Sequence, residues 1–196
     1  MRVRLPPSAP HTERQKVSMK RFGEIIVLLG VLLLVLSVVI LKVPRLVYQI
    51  HFEHEVAAAS QAYALPRNMI LAVMREESHF DQNATSAASA RGLMQILPST
   101  AQWIAARRGL PYAGVNLYEP ALNIDFGSWY LRYLEDQFHN DTLTLEAYNA
   151  GITNVAQWER TKPGNIQFAE TDRFVRRVKK TKMAYDALYG EKWEKR

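Results

Sequence analysis

A long apolar segment near the N-terminus constrains the fold more than any other part of the chain. The segment runs from Ile25 to Leu41 and is broken only by Gly30 and Ser37. About 20 apolar residues in a helix span the hydrocarbon core of a bilayer, because a helix satisfies its backbone hydrogen bonds internally. The sequence therefore predicts a transmembrane helix or signal anchor over residues 23–43.

The charges that flank this segment predict its orientation. Six basic residues precede the apolar segment and two follow it closely. Because Lys and Arg accumulate on the cytoplasmic side of membrane helices, residues 1–22 are predicted to be a basic cytoplasmic segment. A cleaved signal peptide is the alternative, in particular if translation begins at Met19. The apolar segment ends without the small residues of a cleavage site, which favours an uncleaved anchor.

Composition excludes several classes of function. The chain has no cysteine, so it forms no disulfide, no thiolate metal site and no lipid-modified cysteine anchor. Residues 1–49 hold 8 of the 25 Lys and Arg residues and 2 of the 19 Asp and Glu residues, which leaves 17 of each for the rest. The net charge of +6 therefore belongs to the membrane-orientation signal, and we predict no nucleic-acid partner.

The rest of the chain has the patterning of a helical domain. Residues 44–54 are interpreted as a short tether, and residues 55–196 as one catalytic domain. Half-buried strands alternate apolar and polar residues, and no sustained alternation of this kind occurs here. The predicted fold is therefore predominantly all-α. The predicted helices cover residues 56–63, 123–138, 143–150, 154–160 and 171–189, and others begin near Pro66 and Ser99.

One predicted helix places a carboxylic acid at the end of an apolar stripe. With about 100° between successive residues, Glu77 falls within roughly 10–20° of the centre of the stripe, and Glu76 points about 90° away. Desolvation would raise the pKa of Glu77, as a general acid requires near neutral pH, whereas Glu76 is expected to lie nearer to water. The stripe consists of Met69, Ile70, Val73 and Met74.

Three motifs follow one another along the chain, and the first of them ends this helix. Glu77-Ser78 is followed by Gly-Leu-Met-Gln at residues 92–95 and by Ala-Tyr-Asn-Ala-Gly at residues 147–151. Together they resemble the catalytic domain of the soluble-lytic-transglycosylase family, over roughly residues 55–190. The resemblance implies a lysozyme-like fold that cleaves peptidoglycan.

The resemblance also implies a set of site residues. Glu77 is the expected catalytic acid. Gln95 is expected to offer its amide to sugar groups, Met94 to form an apolar wall, and Tyr148 to bring its hydroxyl near the acid. For Asn149, holding loops together is the favoured alternative to contact with substrate. The residues expected to bind substrate are Ser78, Met94, Gln95, Tyr148, Asn149 and Glu170.

The chain departs from the family pattern at three positions. Ser89 stands where the family often has Gly. Asp172 replaces the usual Arg and Phe174 replaces the usual Tyr in the segment that begins at Glu170. These changes bear on one edge of the expected groove and leave Glu77 unaffected.

The reaction implied by the family uses one carboxylic acid. We expect cleavage of the β-1,4 bond between N-acetylmuramic acid and N-acetylglucosamine, with Glu77 as acid and then base, and a 1,6-anhydro-muramyl product. One alternative is a hydrolase like the goose-type lysozymes. Another is a non-catalytic, membrane-anchored module that binds peptidoglycan.

Partners and location follow from these expectations. The expected partners are peptidoglycan glycan strands and the membrane, while the sequence identifies no protein partner. No cofactor or metal is expected, and His51 and His54 are interpreted as an incidental pair. The expected location is the inner (cytoplasmic) membrane, as a single-pass protein with its catalytic domain in the periplasm. Release into the periplasm after signal cleavage is the alternative.

Overall fold

The computed structural model describes residues 11–194, with side-chain exposure over residues 19–190. The chain divides into two compact units, Met1–Gln49 and Ile50–Arg196. The described part of the first unit is essentially one helix, α1 (His11–Val47). Within it, Met19–Val47 is long and apolar enough to cross a membrane, with a mean hydropathy of 3.1.

Helix α1 contains the predicted membrane segment and extends beyond both its ends. Residues 23–43 lie inside the helix, and Pro44 is accommodated in it near the C-terminal end. Of the predicted basic segment, residues 1–10 lie outside the described residues. The expected tether is non-helical only over residues 48–52, because helix continues to Val47 and resumes at Glu53.

The second unit is helical, which confirms the all-α prediction. Over the residues that the structure describes it has no strand, and only two isolated bridges occur, both in the segment 85–96. Helices α5 and α6 begin two to three residues before their predicted starts. Helices α2–α8 are Glu53–Tyr63, Arg67–Ser78, Pro98–Arg107, Pro120–Phe138, Asp141–Ala150, Ile152–Thr161 and Ala169–Glu194.

Side-chain caps account for the early helix starts. The Glu119 carboxylate accepts hydrogen bonds from the backbone N–H groups of Ala121 and Leu122, at 3.1 and 2.6 Å. Pro120 then occupies the first turn, where its missing N–H would have no helical partner. Asn140 caps α6 in the same way. Capping satisfies backbone donors that a helix leaves unpaired at its N-terminus.

Helix α3 lies at the centre of the domain and packs against α2 and α8. Its apolar stripe is buried as predicted, but so are Leu71 and Ala72 on other faces, each with 0% exposure. The interpretation of α3 as a helix with one buried stripe is therefore incomplete. A side chain that points away from the stripe meets another helix rather than water.

Candidate active site

The C-terminal end of α3 is tied to the loop that precedes α4. Ser78, the last residue of α3, donates its hydroxyl hydrogen to the Leu93 carbonyl oxygen at 2.8 Å, with the Met74 carbonyl oxygen 3.2 Å away. Ser78 is buried. This hydrogen bond holds the neighbouring Glu77 against residues 92–95, and the expected contact of Ser78 with substrate stays a prediction.

Gly92 makes the turn of this loop possible. Its φ of +74° is strained for residues with a side chain, and an added Cβ would overlap the Leu117 carbonyl oxygen and lie 2.5 Å from Asn123 Nδ2. Helix α5 and the segment before it therefore approach the loop backbone directly. Only glycine allows this approach together with this backbone conformation.

Asn123 joins the loop to α5, a role that sequence analysis missed. The side chain is fully buried, and its Oδ1 accepts a hydrogen bond from the Met94 N–H at 2.7 Å. Its Nδ2 donates to the carbonyl oxygens of Arg91 and Leu117, at 2.9 and 2.8 Å. An Asn near a helix start ordinarily indicates a cap, so a single sequence carries no signal for this cross-link.

Glu77 lies in the last turn of α3, directly before Ser78, and its side chain is only partly exposed. Burial is the main cause that raises the pKa of Glu77 to about 8. The positive charge of Arg177 opposes this shift, and the negative charges of Glu170 and Glu76 reinforce it. At neutral pH the carboxyl group is mostly protonated, as a general acid must be before it reacts.

Glu76 corrects the expectation drawn from the helical stripe. Its side chain is only 12% exposed, and its carboxylate accepts hydrogen bonds from Arg177 Nε at 3.0 Å and from the Thr181 hydroxyl at 2.6 Å. The prediction that Glu76 lies nearer to water is wrong, because α8 covers that side of α3. The two adjacent carboxyl groups therefore have different partners and different roles.

Tyr148 approaches the acid from α6. Its hydroxyl donates to the Met94 carbonyl oxygen at 2.9 Å. Burial, followed by the negative charge of Glu77, holds the pKa of Tyr148 well above its ordinary value. The phenol thus stays protonated, and it orients the backbone of residues 92–95 beside Glu77.

Met94 and Gln95 contribute mainly to the loop itself. The Met94 side chain has 0% exposure and packs against Gly127, so the structure places it in the core rather than on the groove wall. Gln95 Nε2 donates to the carbonyl oxygens of Gly92 at 2.9 Å and Ala84 at 3.2 Å. These bonds fix the amide group of Gln95 against the loop, and its expected contact with sugar groups stays a prediction.

Asn149 and Glu170 meet where α6 ends and α8 begins. The Thr171 hydroxyl donates to Asn149 Oδ1 at 2.8 Å, and Thr171 is buried. Asn149 thus joins the two helices, in the manner of the loop-holding alternative. Glu170 is exposed in the first turn of α8 and close enough to Glu77 for its charge to raise the pKa of Glu77.

Asp172 and Phe174, the two departures from the family pattern in the segment that begins at Glu170, have local explanations. Asp172 forms an ion pair with Arg176 one turn along α8. Phe174 is buried in the core, with 2% exposure, where an apolar ring needs no hydrogen-bond partner.

Comparison with protein families and curated proteins gives a consistent result. The family model described as the transglycosylase SLT domain matches residues 55–169. The soluble lytic murein transglycosylase of Salmonella typhimurium is 37% identical over 142 residues, covering 66% of this chain and 20% of the relative. A membrane-bound lytic murein transglycosylase C of Mannheimia succiniciproducens is 39% identical over 103 residues, covering 50% of this chain and 26% of the relative. The chain thus spans about a fifth to a quarter of the length of these curated relatives.

Solved structures share the architecture. The 70 kDa soluble lytic transglycosylase of Escherichia coli matches with a TM-score of 0.70 and 27% identity, over 75% of this chain and 26% of that one. An inactive mutant of the lytic transglycosylase Slt of Pseudomonas aeruginosa matches with a TM-score of 0.65 and 31% identity, over 75% of this chain and 25% of that one. Because the family model also covers more than half of the sequence, this chain belongs to the SLT transglycosylase family, with its lysozyme-like fold.

Proposed function

We propose that this protein is a peptidoglycan lytic transglycosylase. It cleaves the β-1,4 bond between N-acetylmuramic acid and N-acetylglucosamine and leaves a 1,6-anhydro-muramyl end. The observation that carries the proposal is Glu77, a partly exposed carboxyl group with a pKa raised to about 8 at the end of the central helix. The names of the curated relatives support the same reaction.

The first step is a proton transfer from Glu77. The protonated carboxyl group donates its hydrogen to the bridging oxygen, and the bond between C1 of the muramyl residue and that oxygen breaks. The N-acetylglucosamine part leaves as an alcohol. The acetamido oxygen of the muramyl residue attacks C1 and forms an oxazolinium-like intermediate, and Glu77 is left as a carboxylate.

The second step restores the acid. The Glu77 carboxylate takes the proton of the C6 hydroxyl of the same muramyl residue, and the C6 oxygen attacks C1. The bond between C1 and the acetamido oxygen breaks, which regenerates the N-acetyl group and closes the 1,6-anhydro ring. No water is consumed, so the reaction is an intramolecular transfer of the muramyl C1 to its own C6 oxygen, a lyase-type cleavage rather than a hydrolysis.

The surroundings of Glu77 support a mechanism with a single carboxyl group. Glycosidases commonly place two carboxyl groups on opposite sides of the scissile bond. The nearest candidate in sequence, Glu76, is occupied by Arg177 and Thr181. Glu170 is exposed at the start of α8, where its negative charge helps to keep Glu77 protonated. The substrate acetamide supplies the nucleophile that the protein lacks.

Mass spectrometry of digested cell-wall sacculi tests this function and separates it from its rivals. We expect muropeptides that lack one water relative to lysozyme products, because the anhydro ring forms without hydrolysis. Products with a reducing muramyl end would instead identify a lysozyme-like hydrolase. The absence of any product, with glycan binding intact, would identify a non-catalytic module.

We also propose that the protein is held in the inner membrane by α1, with residues 1–22 in the cytoplasm and the catalytic domain in the periplasm. The apolar span Met19–Val47, the basic residues before it and the membrane-bound relatives support this arrangement. Carbonate washing should leave the protein in the membrane with its N-terminus intact. Recovery of a soluble chain that begins near residues 43–56 would support signal cleavage instead.

A further inference from the structure

A basic face lies along the exposed side of α8, in a domain whose acidic and basic residues are otherwise balanced. It consists of Arg173, Arg177 and Lys180, all of which are exposed. Their spacings of four and three residues place the three side chains within about 60° of arc and over about 10 Å of the helix. The next acidic residue along α8, Asp186, lies about 140° away from Arg173 around the helix and pairs with Lys182.

The charges of the basic face have few partners within the described part of the chain. Arg173 and Lys180 form no hydrogen bond or ion pair there. Arg177 is bound to Glu76 through Nε, its side chain is 52% exposed, and its two Nη groups have no hydrogen-bond partner among the described residues. By contrast, Arg176 pairs with the carboxylate four residues before it, so it does not belong to the basic face.

The basic face begins beside the proposed catalytic acid. Arg177 bonds to Glu76, the residue before Glu77, and its charge acts on the Glu77 carboxyl group. Glu170, which lies about one turn before Arg173, acts on the same carboxyl group from the start of α8. The first turns of α8 therefore run along one edge of the site, and the basic face continues from this edge.

Three cations in a row favour a ligand that carries several negative charges. Guanidinium groups bind carboxylates through two parallel hydrogen bonds, and a lysine adds a point charge. The polymer proposed to bind at Glu77 brings such groups with it, because an intact muramyl residue bears a stem peptide with free carboxylates. A stem of four or five residues reaches about 13–18 Å, which exceeds the length of the basic face.

We infer that the basic face binds the carboxylates of the stem peptide attached to the muramyl residue at Glu77, so that the enzyme favours peptide-bearing strands over strands stripped of their peptides. Arg173 and Lys180 are then specificity-determining residues, and Arg177 connects the bound stem to α3. The inference rests on the proposed function. Anionic lipid headgroups also attract basic clusters. The position of the basic face at the edge of the site favours an anion that the substrate itself carries.

The test compares cleavage by the full-length protein in detergent of peptide-bearing glycan strands and of the same strands after an amidase has removed the stems. The double variant Arg173→Gln/Lys180→Gln should raise KM for peptide-bearing strands by about three- to tenfold, the loss of two exposed ion pairs. The KM for stripped strands should stay unchanged. Arg173→Lys/Lys180→Arg keeps both charges and should retain most of the preference. Arg160→Gln/Lys162→Gln, which removes two exposed charges at the end of α7, is the matched control and should have no effect.

A measurement on the wild-type protein covers the case in which the double variant does not fold, as thermal unfolding would reveal. Conversion of the stem carboxylates to amides should raise the wild-type KM by a similar factor. Added salt should reduce the difference between native and amidated strands, because salt screens exposed charges.

Three results would overturn the inference. One is an equal wild-type KM for native, amidated and stripped strands, and another is an equal loss of the double variant on peptide-bearing and stripped strands. The third is a double variant with an unchanged KM for peptide-bearing strands whose activity in vesicles, unlike that of the wild type, no longer depends on anionic lipid. That result would assign the basic face to the membrane. If the wild-type protein cleaves neither substrate, the proposed function fails and the inference falls with it.

Discussion

Arg177 donates a hydrogen bond from Nε to the Glu76 carboxylate at 3.0 Å, and the same guanidinium lowers the pKa of the adjacent Glu77. The effect on Glu77 is smaller than that of burial, so the net pKa is still raised. One cation thus pairs with the carboxylate of Glu76 and limits how strongly Glu77 retains its proton. This arrangement connects α8 to the reactivity of the acid on α3.

Arg177→Gln should shift the alkaline limb of the pH–activity profile to higher pH. The substitution removes the charge that lowers the Glu77 pKa and leaves the negative charge of Glu76 without its cation. Both changes favour protonated Glu77. The measurement is kcat/KM across the alkaline range, with Arg176→Gln on the same helix as the control. A shift toward lower pH would contradict the assigned role of Arg177.

Glu76→Gln should destabilise the domain by about 1–2 kcal/mol, because it weakens two hydrogen bonds to a charged, largely buried carboxylate. Thr181→Ala should have a comparable effect, whereas Thr181→Ser, which keeps the hydroxyl, should have little. Thermal or denaturant unfolding in detergent measures each change. Unaltered stability in Glu76→Gln would mean that α8 does not depend on this contact.

Gly92→Ala should destabilise the domain and abolish activity. The added Cβ would combine a strained φ of +74° with overlap against the Leu117 carbonyl oxygen. Gly114→Ala is the matched control, since Gly114 has a φ of +82° and no atom within 4 Å of an added Cβ. Strain alone costs on the order of 1 kcal/mol, so the control should lose little activity. Equal effects at both positions would show that backbone strain, and not the close approach of α5, explains the requirement for Gly92.

Glu77→Gln should make the folded domain more stable, increasingly so as the pH rises. Burial raises the pKa of Glu77 from 4.5 to about 8 in the folded protein. Below the lower value the carboxyl group is neutral in both states. Between the two values the unfolded chain releases its proton and the folded chain does not, so wild-type stability falls with rising pH. Melting temperatures of both proteins at several pH values measure the difference. A difference that stays constant with pH would contradict a raised Glu77 pKa.

Much of the architecture is predictable from local patterns. Helical periodicity and the absence of strand-like alternation indicate an all-α domain, and the apolar run indicates the long N-terminal helix. The position of Glu77 on the buried face of α3 follows from the same 3.6-residue period. These features depend on residues that are close together in sequence.

The features that sequence analysis did not predict depend on contacts between residues that are far apart in the chain. Glu76 points away from the apolar stripe, yet it is covered by Arg177 and Thr181, which lie 101 and 105 residues further along the chain. Asn123 reaches back 29 residues to Met94. Local periodicity predicts which residues avoid water, but it does not predict which helix will cover a particular face.

The central claim is that Glu77 is an acid held protonated by burial, and the pH dependence of kcat/KM for release of anhydro-muropeptides tests it most directly. The alkaline limb of such a profile reports the pKa of the essential acid in the free enzyme. We expect activity to fall as the pH rises through about 8, the pKa of Glu77, and Glu77→Gln to lose at least about 10²-fold in rate at every pH. A limb centred near the ordinary glutamate value of 4.5, or near-normal activity in Glu77→Gln, would contradict the account.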